Sequence, residues 1–119
     1  MVAAACLLLF AADPVKLAGE YDGTGTDVLG KPYTVQVKIR PDGDAYRVWW
    51  TAPDGQELVG VGLHTGRQLA VSWTGRATEG RVFVGLTVYQ VRPDGTLVGR
   101  WTMFGARGVV RSETLRPAT

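Results

Sequence analysis

The chain of 119 residues contains one cysteine, Cys6, and one histidine, His64. A single thiol excludes an intramolecular disulfide, and one imidazole cannot supply the ligand set of a zinc site. His64 falls near the end of a predicted strand, where we interpret it as a polar residue at a hairpin end. The sequence therefore predicts no metal centre and no bound cofactor.

Residues suited to nucleophilic catalysis are also few, because Ser72 and Ser112 are the only serines. The predicted strand turns Ser72 outward and separates it from His64, so a Ser–His–acid triad is not expected. Gly23 and Gly25 precede no predicted helix and do not form a phosphate-binding loop. We expect no catalytic residue and no enzymatic activity.

Neither sign of charge dominates, since 13 Lys and Arg face 11 Asp and Glu for a formal net charge of +2. The basic residues are spread over nearly every predicted strand and loop, with acids between them. Nucleic-acid-binding proteins instead gather Lys and Arg in a patch or stripe. We therefore predict that the protein does not bind nucleic acid.

The sequence has no apolar run long enough to cross a bilayer, and the run at residues 2–12 is too short. This run is typical of the apolar region of a secretory signal peptide. We predict an export segment at 1–14 and one domain at 15–119, in the periplasm or outside the cell. The alternative is an N-terminal helix or strand that packs on the domain. Removal of the segment would leave no cysteine.

Helical periodicity is missing from residue 17 onward, and alternating apolar and polar residues take its place. Eight strands are predicted, at 18–26, 33–40, 45–52, 57–64, 68–74, 81–92, 97–104 and 108–115. Pro-Asp-Gly triplets at 41–43, 53–55 and 93–95 are typical of turns and predict three hairpin tips. Short, even connections favour an all-β sandwich or barrel with sequential antiparallel strands.

Matching apolar residues across these hairpins predicts the register. A four-residue loop at each Pro-Asp-Gly tip pairs Val48 with Val61 and Val88 with Trp101, and a three-residue loop at 65–67 pairs Val61 with Val71. The predicted inner face comprises Val35, Val37, Ile39, Tyr46, Val48, Trp50, Val59, Val61, Leu63, Leu69, Val71, Trp73, Val82, Val84, Leu86, Val88, Leu97, Trp101 and Met103.

The predicted outer face carries mostly polar residues together with the aromatic residues Trp49, Phe83 and Tyr89. Trp49 is expected to cover the bare backbone of Gly60 on that face. One apolar face must be hidden from water, and a closed eight-stranded up-and-down β-barrel hides it while removing both sheet edges. In that barrel the last strand pairs with the first, and a two-sheet sandwich is the alternative.

With this strand number and hairpin order over residues 17–119, the chain resembles the calycin-type meander barrels, which include lipocalins, fatty-acid-binding proteins and avidins. Gly19-Glu20-Tyr21 stands where a lipocalin-like first strand has Gly-x-Trp, with tyrosine in place of tryptophan. The resemblance implies a binder of small apolar molecules, while some members of the class inhibit proteases and a few are enzymes. No biotin-site pattern is present, so biotin binding is not implied.

Aromatic residues on the predicted inner face, with one inward amide opposite Gly99, supply the candidate ligand site. In one interpretation the aromatic side chains stack on a ligand inside the barrel. In the other they fill the barrel interior themselves, and their bulk favours this second interpretation. The candidate ligand-binding residues are Tyr46, Trp50, Trp73, Gln90 and Trp101. Glu113, in the last predicted strand, is interpreted as facing solvent; alternatively it enters the barrel mouth near an arginine, where a buried carboxylate needs a partner.

Three functional hypotheses follow. The first is an exported barrel that binds a small apolar ligand. The second is a filled barrel that acts on a protein partner through its outer face and loops, with Trp49, Phe83, Tyr89 and Phe104 as the candidate interaction surface. The third is an enzyme that uses Glu113, His64 or Tyr21 as acid or base, and no residue spacing requires it.

Overall fold

The structure is a computed structural model that describes residues 16–77 and 79–118. Eight antiparallel strands follow one another around a closed barrel, and the last pairs with the first. The strands are β1 (Gly19–Thr26), β2 (Pro32–Asp42), β3 (Ala45–Thr51), β4 (Glu57–Thr65), β5 (Gln68–Arg76), β6 (Val82–Val91), β7 (Leu97–Met103) and β8 (Arg111–Pro117). The predicted all-β meander barrel is confirmed, and the sandwich alternative is wrong.

The predicted export segment at 1–14 lies outside the described residues, so export stays a prediction. Among residues 16–77 and 79–118, no helix is long and apolar enough to cross a membrane.

The second and third Pro-Asp-Gly tips are three-residue loops rather than the predicted four-residue loops. At the second tip, the amide nitrogens of Ala52 and Gly55 lie 2.9 Å from the carbonyl oxygens of Gln56 and Ala52, respectively. Gly55 has φ +91°, and Gly95 at the third tip has φ +88°. Glycine at this left-handed position after a tight turn is the signature of the three-residue hairpin loop.

Two other loops are shorter still. Strand β2 continues through Asp42, which pairs with Ala45, so the first tip is a two-residue loop. Thr65 pairs with Gln68, so the predicted three-residue loop at 65–67 also contains only two residues.

These loop lengths decide which face of each strand points inward. The first tip is two residues shorter than predicted, so β2 and β3 keep their predicted faces. Each of the other three loops is one residue shorter than predicted. A one-residue slip exchanges the two faces of a strand. Strands β4 and β6 are therefore turned over relative to the prediction: Val48 pairs with Gly60 and Trp101 with Thr87. The one-residue error in the β4–β5 loop cancels the one-residue error in the β3–β4 loop, so β5 keeps its predicted face.

The glycines inside the barrel explain why apolar matching failed. A Cβ atom on Gly85 would lie 2.1 Å from Cζ2 of Trp73, and one on Gly99 would lie 2.6 Å from Cδ1 of Tyr89. Each large ring therefore occupies the space that a side chain at its neighbouring glycine would need. The interior is built from glycines beside aromatic rings, while several valines and leucines of β4 and β6 lie outside.

The predicted cover of Trp49 over Gly60 is wrong for the same reason. Trp49 pairs with Val59, whereas Gly60 is buried on the inner face and pairs with Val48.

The two ends of the barrel differ in their filling. The packed end, which carries the 43–44, 66–67 and 92–96 connections, is filled by buried aliphatic side chains and sealed by Leu17. The Tyr21 hydroxyl donates to the carbonyl oxygen of Leu17 at 2.8 Å and holds this seal in place. The opposite end, with the 27–31, 52–56, 77–81 and 104–110 connections, is the mouth. The inward-facing tryptophans lie in this half of the barrel.

A candidate ligand pocket around Glu113

A cavity of about 500 Å³ occupies the mouth half of the barrel. Its apolar wall consists of Val35, Trp50, Ala52, Pro53, Leu58, Trp73 and Trp101. Its polar lining consists of Asp27, Tyr33, Thr34, Gln56, Glu57, Thr87 and Glu113. Most of these side chains come from the inner faces of the strands, so the cavity reaches into the barrel and is more than a surface groove.

Three indoles form much of the apolar wall. The ring centroids of Trp50 and Trp73 are 6.5 Å apart with an interplanar angle of 60°, and those of Trp73 and Trp101 are 6.1 Å apart at 65°. Such tilted, edge-on arrangements are favoured by the charge distribution of aromatic rings. Trp73 is held by its indole N–H, which donates to Oγ1 of Thr87 at 2.9 Å. The predicted convergence of these three tryptophans in one interior is confirmed.

Glu113 is buried in the pocket and accepts three hydrogen bonds. Tyr33 donates its hydroxyl to Oε1 at 2.7 Å, Trp50 donates its indole N–H to Oε2 at 3.0 Å, and the Tyr89 hydroxyl also donates to Oε2. The side chain is 5% exposed. The interpretation that Glu113 faces solvent is therefore wrong, and its carboxylate lies inside the barrel.

Glycines beside Glu113 make room for the two tyrosines. Glu113 pairs with Gly25 of β1 and with Gly99 of β7. A Cβ atom on Gly25 would lie 2.6 Å from the Tyr33 hydroxyl oxygen, and the ring of Tyr89 covers Gly99 at the same distance. Larger residues at these positions would push the phenols away. The glycines thus permit both hydroxyls to reach one carboxylate.

The environment keeps both phenols protonated at neutral pH. Burial is the main cause that raises the pKa of Tyr33, and the negative charge of Glu113 and the hydrogen bond to it raise it further. The same causes, in the same order, raise the pKa of Tyr89 well above its ordinary value. Loss of a proton would place two negative charges together in a poorly solvated site. Tyr33 and Tyr89 therefore act as hydrogen-bond donors here.

No cation pairs with the Glu113 carboxylate in the part of the chain that the structure describes. Arg111 precedes it by two residues on the inner face of β8, but its guanidinium donates to the carbonyl oxygen of Val28 at 3.0 Å. The neighbouring arginine that the sequence suggested is thus present at the mouth without forming an ion pair. The carboxylate is stabilised by neutral donors.

The other two candidate ligand-binding residues are not in the pocket. Tyr46 is on the inner face as predicted, but it lies towards the packed end, where its ring is 6.4 Å from that of His64. Gln90 is exposed on the outer face and pairs with Val98. Its predicted inward direction is wrong because β6 is turned over, and Tyr89 is the residue that faces Gly99.

Only two of the four candidate interaction-surface residues lie on the outside of the barrel. Phe104 is 83% exposed, and Trp49 is half-buried on the outer side of β3. Phe83 packs against the core from the inner face of β6, and Tyr89 is fully buried. The outward direction predicted for Phe83 and Tyr89 is therefore wrong.

The three residues considered as acids or bases are not brought together. Glu113 lies in the mouth half, whereas His64 and Tyr21 belong to the packed end. Within residues 16–77 and 79–118, no group of three His, Cys, Asp or Glu side chains is placed to hold a metal ion.

Tyr33 and Thr87 line the pocket and Tyr89 donates to Glu113, but the sequence analysis assigned none of the three to the ligand site. Tyr33 had a detectable signal, because it precedes Val35 and Val37 at the spacing of one strand face. Tyr89 and Thr87 had no sequence signal that was independent of the register, because the length of the neighbouring loops decides whether they point inward.

The pocket is a cavity with a largely aromatic wall and the buried Glu113 carboxylate in its lining. No protein-family model, no curated protein and no solved structure matches the chain.

Proposed function

We propose that this protein is a non-enzymatic binding barrel that holds one small molecule with a largely apolar body in the Glu113 pocket. The observation that carries the proposal is the contrast between the two ends, one filled by aliphatic side chains and one holding a cavity of about 500 Å³. Ligand sites in proteins are typically concave, mostly apolar and about 300–1,000 Å³ in volume, with a few polar groups that orient the ligand.

The composition of the wall supports an apolar body. Indole and aliphatic surfaces surround the space, and burial of apolar area contributes about 25 cal/mol per Å². A ligand that buries about 200 Å² of apolar surface would gain about 5 kcal/mol, from which the cost of association is subtracted. The likeness to calycin-type barrels, and export of the protein, are parts of the same proposal.

Binding of N-phenyl-1-naphthylamine, an uncharged apolar fluorophore, tests the proposal. We expect saturable enhancement of its fluorescence with one site per chain. Val35→Phe, which adds a ring inside the cavity, should weaken this binding at least about tenfold through loss of space. Val84→Phe makes the same change on the outer face of β6 and serves as the matched control. Folded protein that shows no saturable signal with this probe would refute a pocket for apolar ligands.

A second candidate function, contact with a protein, is supported by an apolar patch on the outside of the barrel. We define the outer apolar face as Val61 and Leu63 of β4 with Val82, Val84, Leu86 and Val88 of β6, all of them exposed. Strand β5 lies between them and presents the shorter side chains Ala70, Ser72 and Thr74. Two apolar ridges around a shallow valley can interlock with a second copy of the same surface, and large exposed apolar patches commonly mark interfaces.

Sedimentation velocity separates this candidate from the first. A dimer that becomes monomeric in the double variant Leu63→Ser/Leu86→Ser, with unchanged binding of the fluorophore, would support self-association through this face. A wild-type protein that stays monomeric at millimolar concentration would reject it.

A further inference from the structure

The pocket has a charge preference that its apolar wall does not explain. We propose that it selects organic cations, meaning molecules that carry an ammonium group on an apolar body. This inference rests on the proposed binding function and specifies the chemical class of the ligand.

The first argument is the unpaired charge of Glu113. Its donors are the hydroxyls of Tyr33 and Tyr89 and the indole of Trp50, and all three are neutral. A carboxylate taken out of water is costly without compensation, and the three neutral donors supply hydrogen bonds but no opposite charge. A cation in the cavity would restore charge balance at the site.

The second argument is the remaining acceptor capacity of the carboxylate. A carboxylate has about four lone-pair positions. Among donors in residues 16–77 and 79–118, Oε2 receives both Trp50 and Tyr89, whereas Oε1 receives only Tyr33. One acceptor position on Oε1 is therefore free for a ligand donor. A primary or secondary ammonium could donate to this position, and a quaternary ammonium could approach it by charge alone.

The third argument is the wall around that carboxylate. Trp50, Trp73 and Trp101 line the same cavity at tilted angles, so a ligand there contacts ring faces from more than one direction. Cations bind favourably over aromatic faces, and tryptophan is the strongest partner. Aromatic rings combined with a carboxylate are suited to an ammonium group that has lost its hydration shell.

The fourth argument is the sign of the other charges in the lining. Asp27 and Glu57 accompany Glu113, and none of the cavity-lining residues in the described ranges is Lys or Arg. Arg111, two residues before Glu113, is not among the lining residues: its Nη2 donates to the carbonyl oxygen of Val28 at 3.0 Å, and its Nε is buried without a hydrogen-bond partner among the described residues. An anionic ligand would meet three carboxylates in this lining, while a cation would be attracted by them.

Three probes that share one body test the inference: 3-phenylpropyltrimethylammonium, 3-phenylpropanol and 3-phenylpropionate. Their dissociation constants can be measured from the quenching of tryptophan fluorescence in wild-type protein. We expect the cation to bind about tenfold more tightly than the alcohol, and the carboxylate to bind most weakly. The quaternary ammonium carries a permanent charge and no titratable proton, so its charge is the same at every pH used.

Variants identify the group responsible. Glu113→Gln should lower the preference for the cation over the alcohol from about tenfold to about threefold, because the buried charge is lost while the shape of the pocket and its other groups are kept. Asp44→Asn removes one acid from the exposed 43–44 loop at the packed end and should keep the wild-type preference. Circular dichroism verifies that each variant is folded, and the wild-type order of the three probes is decisive even if Glu113→Gln does not fold.

The outcomes distinguish this inference from the proposed function. Equal affinity for the cation and the alcohol would overturn the cation preference and leave the binding function intact. Preference for 3-phenylpropionate would also overturn it. Failure of all three probes and of N-phenyl-1-naphthylamine to bind folded protein would overturn the binding function together with the inference that rests on it.

Discussion

The indole nitrogen of Trp50 lies 3.0 Å from a carboxylate oxygen of Glu113, although the two residues are 63 positions apart in the chain. The contact joins β3 to β8 across the interior of the barrel. Tyr33 and Tyr89 add donors from β2 and β6, so four strands meet at one acidic side chain. Glu113 therefore connects the stability of the mouth half with the chemistry of the pocket.

Replacement of Glu113 by leucine should destabilise the barrel. The substitution removes the acceptor that the Tyr33 and Tyr89 hydroxyls share, at a cost of about 1–3 kcal/mol for each hydroxyl that stays unsatisfied. The Trp50 indole keeps the Tyr89 hydroxyl oxygen as an acceptor at 3.3 Å. We expect the free energy of unfolding to fall by about 3 kcal/mol, measured by urea denaturation. The exposed control Glu57→Leu should change it by less than about 0.5 kcal/mol. Equal effects of the two variants would contradict the buried network.

Stability should fall at alkaline pH because of the buried tyrosines. The pKa of Tyr33 and that of Tyr89 are raised above 10.0 in the folded protein. Below pH 10 both states keep these protons and the stabilisation is fully present. Above pH 10 the unfolded chain releases them while the folded chain retains them, so stability decreases by about 1.4 kcal/mol per pH unit for each tyrosine.

Thermal unfolding between pH 8 and pH 11.5 measures this effect. Tyr33→Phe should make the alkaline decline of the melting temperature less steep, because one of the coupled protons is removed. A slope that is the same in wild type and Tyr33→Phe would show that the Tyr33 hydroxyl is not held protonated. The buried Tyr21, whose pKa is also raised chiefly by burial, contributes to the slope that remains.

Gly85→Ala should disturb the barrel through Trp73. The new methyl carbon would lie 2.1 Å from Cζ2 of the indole, far inside contact distance, so the ring must move. We expect a loss of about 1–3 kcal/mol in the free energy of unfolding and a changed tryptophan emission spectrum. Ala70→Val, on the exposed side of the adjacent strand, should have little effect on either measurement. A wild-type spectrum in Gly85→Ala would contradict the close approach of Gly85 and Trp73.

Alanine substitutions in β6 test which face of the strand is buried. Tyr89 is fully buried and Leu86 is 48% exposed. Tyr89→Ala should therefore cost about 3–5 kcal/mol, as large-to-small changes of buried aromatic residues do, while Leu86→Ala should cost less than about 1 kcal/mol. Chemical denaturation of the two variants gives the comparison. The reverse order would mean that β6 presents its other face to the interior.

The sequence predicted the architecture well because local signals determine it. Alternating residues indicated eight strands, and short connections between them left the up-and-down order as the simplest arrangement. Closure followed from the need to hide one apolar face and remove the sheet edges. Trp50, Trp73 and Trp101 were assigned to one interior correctly, since their strands β3, β5 and β7 kept the predicted faces.

The candidate site was predicted only in part, because its polar residues depend on the register. Apolar matching assumed that valine and leucine are more suited to the interior than glycine, which placed Gly60 and Gly85 outside. In this barrel the space at Gly85 is taken by the ring of Trp73. Loops one residue shorter than expected then reversed Tyr89 and Gln90 together. The burial of Glu113 is not visible in its own strand, because its three donors come from elsewhere in the chain.

Strand number, strand order and the predicted location of the tryptophans came from periodicity and turn chemistry, which act over a few residues. The direction of β4 and β6, the contrast between the packed end and the mouth, and the burial of one carboxylate required the closed barrel. They depend on how large rings from one strand fill the space beside glycines of the next. That complementarity acts between distant parts of the chain, and only folding brings those parts into contact.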